Sequence, residues 1–312
     1  MNDRILRVGA RTSPLARAQA GEVMHQLGGC SGLSCEFVGL TTAGDRSPDA
    51  PYSDIGEPGV FTREIERALR AGEIDVAVHS LKDLETELPE GIVMAAVLPR
   101  EDPRDALIVH PGLSAHASLA TLPEGSRVGT ASLRRRALLL RQRSDISVQP
   151  IRGNVPSRLR KLADGGFDAI VLAVAGLNRL GLANSISEFL SPEEFTPAPG
   201  QGAVAVQVRD GDDQTNRAVS GLDHAPTRIA ITAERAFLRH IEGGCQVPAG
   251  ALATITGESL SLIAVICSPD GNQTVRARVQ GPLERAADIG EQVADQLLHD
   301  GADRILEEIR AG

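Results

Sequence analysis

The segment Asp168–Leu177, DAIVLAVAGL, is an almost unbroken apolar run. A run of this kind reads as a β-strand covered on both faces, which requires helices on either side of its sheet. ILRVGA (5–10), CEFVGLTT (35–42) and IDVAVHS (74–80) read as further strands. Between them lie amphipathic stretches of helical period. Ser13-Pro14 offers an N-cap with proline at the first helical position. Leu15, Ala16, Ala20, Val23 and Leu27 then follow at helical spacing, and Gly28-Gly29 marks the end. Phe61–Ala71 places Phe61, Ile65 and Leu69 on one face, with Gly72 as its stop. Strand and helix in alternation define an open α/β sheet with crossover helices.

A second α/β pattern follows the polar stretch REDPRDA (100–106). RVGTASL (127–133) is a strand entering a helix over Arg134–Arg143. A strand near Ser147–Ile151 leads to a helix starting around Pro156, and 168–177 is the next strand. TPAPGQGA (196–203) reads as a linker or hinge, and AVAVQVR (203–209) as a strand able to return to the first sheet. The last region differs in kind: a helix over Ile229–Ile241, three strands with a Pro269-Asp270-Gly271-Asn272 turn, and one long helix from about Leu283 to Ile309. No internal sequence repeat is evident.

The 312 residues suit two or three domains. With no tryptophan and 2% aromatics, the cores must be built from Leu, Ile, Val and Ala. No apolar run approaches the ~18 residues of a membrane span. The first residues, MNDRILRVGA, carry charges where a signal peptide has an apolar stretch, so a cytoplasmic protein is expected. Cys30, Cys35, Cys245 and Cys267 form no CxxC pair and have no histidines at zinc spacing. Free thiols and no metal site are expected.

The net charge of −9 disfavours nucleic acid and anionic membrane as general partners. Between Arg127 and Lys161, however, ten basic residues meet only Asp145, a surplus of +9 that leaves −18 elsewhere. An RNA-binding use of this window would need interleaved aromatics for stacking, and there are none.

Three arginine sites share one setting, where a strand runs into a loop and a helix begins. They are Arg11-Thr12-Ser13, Gly129–Arg135 and Arg152–Arg158. Helix N-termini present free N–H groups and partial positive charge, and Ser, Thr and Arg donors complete a carboxylate or phosphate receptor. Any one of them also reads as a surface arginine beside an ordinary cap. Their recurrence favours a polyanionic small molecule. Asp83 follows the strand 74–80 beside Ser80 and Lys82, which suits stabilising a cation or accepting N–H bonds, and equally suits a helix cap. Cys245, between Gly243-Gly244 and Pro248, lies on an irregular loop where a thiol can be exposed and reactive, or else is a small buried residue.

Taken in order, RTSPLARAQA (11–20), TTAGDR (41–46), VHSLKDL (78–84), REDPRDA (100–106), GTASLRR (129–135), RGNVPSRL (152–159), LAVAGLNRLGL (172–182), PAPGQGA (197–203) and EGGCQVP (242–248) resemble the porphobilinogen deaminase family over nearly the whole chain. The resemblance implies two α/β domains of the type II periplasmic-binding-protein kind plus a smaller C-terminal α+β domain. Their implied bounds are 1–98 with 200–220, 99–199, and 221–312. It implies a monomer whose partner is porphobilinogen. A dipyrromethane joined by a thioether to Cys245 is extended by four porphobilinogen units with loss of ammonia, and hydroxymethylbilane is released.

The resemblance makes Asp83 the catalytic carboxylate that binds pyrrole N–H groups. Ser13, Ser80, Lys82, Thr130, Ser132, Arg134, Arg135, Arg152 and Gly153 are implied to hold the cofactor. Arg11, Ser13, Gln19, Arg152, Arg158 and Arg179 are implied to hold substrate. One departure is local: Asp54–Val60 lacks the family's basic positions and carries Pro58, which stiffens the loop. Leu81 and Glu85 replace the commoner Met and Pro. A non-catalytic two-lobed binding protein for a small polycarboxylate is the other reading of the residues, and Cys245 argues against it.

Overall fold

A computed structural model of the chain describes residues 5–46, 59–113, 117–241 and 247–311, without the side chains at 30, 31, 45 and 46. Cys245 and the stretch 54–58 lie outside the described residues, as does the side chain of Cys30. The chain divides into two compact units, 1–101 with 202–228 and 102–201 with 229–312.

The first unit is a five-stranded sheet in the order β2-β1-β3-β10-β4. Its strands are β1 (Leu6–Arg11), β2 (Cys35–Leu40), β3 (Val76–Ser80), β4 (Ile92–Val97) and β10 (Val204–Arg209). β1 runs parallel to β2 and β3, while the returning β10 is antiparallel to β3 and β4. Helix α1 (Pro14–Ser31) covers one face, with Ala16, Ala20, Val23 and Leu27 buried against Val8, Val78 and Val206. It begins as the sequence requires: the Ser13 hydroxyl accepts from the Ala16 N–H, and Pro14 takes the first position. It runs past Gly28-Gly29 to Gly32, whose φ of 61° supplies the left-handed cap. After the short helix α2 (Ala43–Arg46), α3 (Arg63–Arg70) covers the other face through Ile65 and Leu69. The sheet order leaves β4 as an unforeseen edge strand.

The second unit holds the sheet β7-β6-β8-β5-β9. Its strands are β5 (Asp105–Val109), β6 (Arg127–Gly129), β7 (Ser147–Gln149), β8 (Ala169–Ala173) and β9 (Glu188–Phe189). Its helices are α4 (Leu133–Gln142), α5 (Val155–Ala163) and α6 (Val174–Arg179). β6 is parallel to β7 and β8, and β5 is antiparallel to β8. The run 168–177 is thus not one strand. It is β8 turning into α6 at Ala173, with Val174, Ala175 and Leu177 still buried. An apolar run carries no period by which to tell these apart.

Both sheets share one strand order and one antiparallel return. The two sheets also share details that no sequence repeat announces. Arg7 at the start of β1 gives its N–H and guanidinium to Asp75, just before β3. Arg127 at the start of β6 does the same with Asp168, just before β8. In each sheet the glycine two residues after that arginine lies under the residue before the aspartate or its neighbours: Gly9 against Ile74, Gly129 against Phe167 and Ile170. A side chain at either would displace these.

The C-terminal part of the second unit is the antiparallel sheet β11 (Ala249–Thr256), β12 (Ser259–Cys267) and β13 (Thr274–Pro282) with helices α8 (Ala225–His240), α9 (Ala286–Leu297) and α10 (Asp303–Ala311); α7 (Asp213–Ser220) lies between β10 and α8. β12 alternates. Leu260, Leu262, Ala264 and Ile266 face α8 and α9, whereas Val265 and Cys267 join the core around α4. The long helix foreseen over Leu283–Ile309 is broken between α9 and α10, where Gly301 adopts φ 106°.

The TPAPGQGA stretch is no free linker. Thr196, Pro197, Pro199, Gly200 and Gln201 are buried. The Gly200 N–H donates to Glu234 on α8 at 2.6 Å, and the same carboxylate accepts from the Ala253 N–H on β11 at 2.8 Å. Glu234→Ala leaves two buried donors unpaired and is expected to destabilise the second unit by about 1–3 kcal/mol. An unchanged midpoint in denaturant unfolding would count against this clamp.

Candidate functional site

In the first sheet β1 and β3 are adjacent and parallel, so the segments after them emerge side by side. Arg11 and Ser13 follow β1. Ser80, Lys82 and Asp83 lie at the end of β3 and in the 3-10 turn Leu81–Asp83. Gln19 reaches across from α1, its Nε2 donating to Ser80 Oγ at 2.9 Å. These six residues share a cavity of about 100 Å³, walled also by Phe61, Thr62 and His79. Six implied ligand residues thus come together in one lobe.

Asp83 is half-buried on this wall. Among the described residues its carboxylate takes part in no hydrogen bond or ion pair, so it caps no helix there. A carboxylate left uncommitted beside Arg11 and Lys82 is available to a ligand. Phe61 precedes α3 instead of sharing its apolar face. Its ring lies under the Arg11 guanidinium, 4.1 Å from centroid to Cζ, and against Gly44, where a side chain would collide with it. The sequence placed Phe61 in the helix core because its spacing to Ile65 and Leu69 is helical.

His79 was hidden inside a strand pattern. It is 5% exposed, and burial, with Arg11 adding to it, lowers its pKa to about 4 against the opposing pull of Gln207. The imidazole is therefore neutral at physiological pH. Because the folded value lies below the unfolded one, the unfolded chain takes the proton first. The His79 contribution to stability is intact above about pH 6.5 and declines as pH falls toward 4.

In the second sheet, Thr130 and Ser132 follow β6, Arg152 and Gly153 follow β7, and Arg179 ends α6 after β8. They stand at the carboxyl ends of three neighbouring parallel strands. Thr130 Oγ1 accepts from the Ser132 N–H, and Ser132 Oγ accepts from the Arg135 N–H at the head of α4. Gly153 has φ 107° and lies against Ser157, and Arg158 Nε donates to its carbonyl.

Arg134 and Arg135 are buried. Both bond Asp105, at 2.8 and 2.7 Å, while Arg134 also donates to the Thr196 carbonyl and Arg135 to that of Val171. Gln201 Nε2 donates to Asp105 as well. Burial works to raise the Asp105 pKa, but the two guanidiniums and Gln201 hold it well below the usual carboxylate range. Burial lowers that of Arg134. Two arginines against one aspartate leave a positive surplus, and Arg134 Nε has no partner among the described residues.

Each α/β lobe gathers cationic and hydroxyl groups at its strand carboxyl ends, the end of such a sheet where anionic ligands are bound. The chain belongs to the porphobilinogen deaminase family. Residues 6–217 match the family's dipyrromethane cofactor binding domain and 228–299 its C-terminal domain. It is 46% identical over 307 residues to porphobilinogen deaminase of Syntrophotalea carbinolica, covering 98% of this chain and 96% of that one. It is 47% identical over 308 residues to that of Pelotomaculum thermopropionicum, covering 98% and 97%. Among solved structures, the methionine binding protein MetQ is similar at 15% identity and TM-score 0.46, covering 71% and 90%. No helix among the described residues is long and apolar enough to cross a membrane.

Proposed function

We propose that the chain condenses four porphobilinogen molecules, one at a time, onto a dipyrromethane tethered to Cys245, releasing ammonia at each step and finally hydroxymethylbilane. The observation that carries this reading is the uncommitted Asp83 carboxylate in a cavity shared with Arg11 and Lys82. The fit to a pyrrolic polycarboxylate is chemical. Cations meet the acetate and propionate groups, and a carboxylate meets ring N–H groups. When bound, dipyrromethane supplies the pyrrole carbon from which the chain grows.

Asp83 accepts pyrrole N–H bonds and stabilises the cation that develops as the C–N bond of the substrate breaks and ammonia leaves. Arg11, Ser13, Gln19 and Lys82 hold carboxylates and orient the rings in the first lobe. Thr130, Ser132, Arg152, Gly153, Arg158 and Arg179 do so in the second. The surplus charge of Arg134 and Arg135 beside Asp105 is offset when a carboxylate arrives. Cys245 anchors and does not turn over. We further propose a cytoplasmic monomer in which 221–312 acts as a third domain, with no nucleic-acid partner.

Incubation with porphobilinogen should release ammonia in step with a linear tetrapyrrole. Binding without ammonia release would leave only a receptor.

A further inference from the structure

One polar string inside the first lobe has no part in holding the fold's apolar core. On β3, His79 and Ala77 share the face covered by α3. On the antiparallel neighbour β10, Gln207 stands opposite Ala77 and therefore diagonal to His79 on that face. Gln207 Nε2 donates to Glu66 Oε1 of α3 at 3.0 Å, which fixes the amide with its oxygen away from the carboxylate. The Gln207 amide works to raise the His79 pKa, as an acceptor near a ring N–H does. His79 Nε2 and Gln207 Oε1 are nonetheless both buried without a completed hydrogen bond among the described residues. All three residues are more than nine-tenths buried. Three elements thus deliver a chain of polar groups that ends on the wall of the Arg11–Asp83 cavity. Among the described residues His79 Nδ1 takes part in no hydrogen bond either, so with Nε2 toward the amide it is the ring nitrogen left for a ligand on the cavity wall.

We propose that His79 is a ligand-binding residue of this site, presented as a neutral imidazole whose Nε2–H is turned to Gln207 and whose Nδ1 lone pair accepts an N–H of the pyrrolic ligand. The inference rests on the function proposed above. The string sets the tautomer, because an amide oxygen facing the ring calls for a donor and leaves the other nitrogen as acceptor. Burial is the main reason the ring stays neutral, and the neighbouring charges add to it. Arg11 on β1 opposes a second cation. Lys82 and Asp83 line the same cavity. Glu66 is itself pushed toward its neutral form by burial, with the Gln207 hydrogen bond opposing this, Glu85 adding to it, and Arg70 and Arg63 opposing it. A neutral acceptor binds an N–H without adding charge to a cavity whose cations are needed for carboxylates.

The test is nitrogen NMR of histidine-labelled protein, with the His79 signals assigned by their loss in His79→Phe. The expected result is an Nε2–H, Nδ1-bare ring from pH 8 to 5, and an Nδ1 signal that moves when porphobilinogen is added. Gln207→Leu should scramble the tautomers. In turnover, His79→Phe and Gln207→Leu should each lower kcat/KM by about tenfold. If His79→Phe fails to fold, Gln207→Leu carries the same comparison. An Nδ1–H tautomer, an imidazolium at pH 7, or an Nδ1 signal unmoved by porphobilinogen would overturn the inference. The tautomer is read without turnover, so a protein that releases no ammonia fails the functional reading and leaves this result legible on its own.

Discussion

Asp83→Ala is expected to lower kcat by at least about 10²–10³-fold while leaving the folded protein intact. The first half follows from where the carboxylate stands. It lines a small cavity whose other charged groups, Arg11 and Lys82, are cations. A substrate cation forming there has no other anionic group on that wall to lean on. The second half follows from what Asp83 does not do. It forms no hydrogen bond or ion pair among the described residues, so its loss unpairs nothing. Asp83→Asn separates charge from shape: it keeps the side chain's volume, and its kcat should fall nearly as far. Thermal unfolding and circular dichroism check the fold, and porphobilinogen consumption checks the rate. An Asp83→Ala protein with substantial turnover would remove this residue from the mechanism.

The largest expected loss of stability is at Asp105. Its carboxylate is fully buried and is the acidic partner of both Arg134 and Arg135. Asp105→Ala strands two guanidiniums in the interior, and breaking a buried pair in this way costs about 3–5 kcal/mol. That is a large part of a domain's total stability and corresponds to a fall in Tm of about 10 °C. The pH dependence has a definite sign. The folded pKa of Asp105 lies below its unfolded value, so its stabilisation is present above about pH 4. It is lost as pH falls further toward the folded value. Acid titration of Asp105→Ala should show a shallower loss of stability in that range. A variant as stable as the parent would mean that the arginines find other partners.

Much of this was legible in the chain because the relevant signals are local. Ser13-Pro14 announces a helix start wherever it occurs, and the segments carrying Arg11, Ser80, Lys82 and Asp83 sit at strand ends that alternation alone locates. What stayed hidden depends on contacts distant in sequence. Asp105 looked like part of a polar boundary, and only the pairing of β5 with β8 shows it buried under α4. The arginines of that helix read as ligand groups, and the structure gives each an internal partner as well. The repeat was visible in outline, as RVG in 7–9 and 127–129 and an aspartate opening each later strand. It carries too few identities to stand out until Arg7–Asp75 and Arg127–Asp168 are seen making the same bonds. Glu66, Gln207 and His79 are far apart in sequence, and no spacing rule joins them.

The most direct test of the proposed chemistry is the intact mass of the purified protein beside that of Cys245→Ser. The account predicts that the parent carries the added mass of one dipyrromethane, that denaturation does not remove it, and that Cys245→Ser lacks it and loses turnover. A fully active parent of unmodified mass would contradict the account.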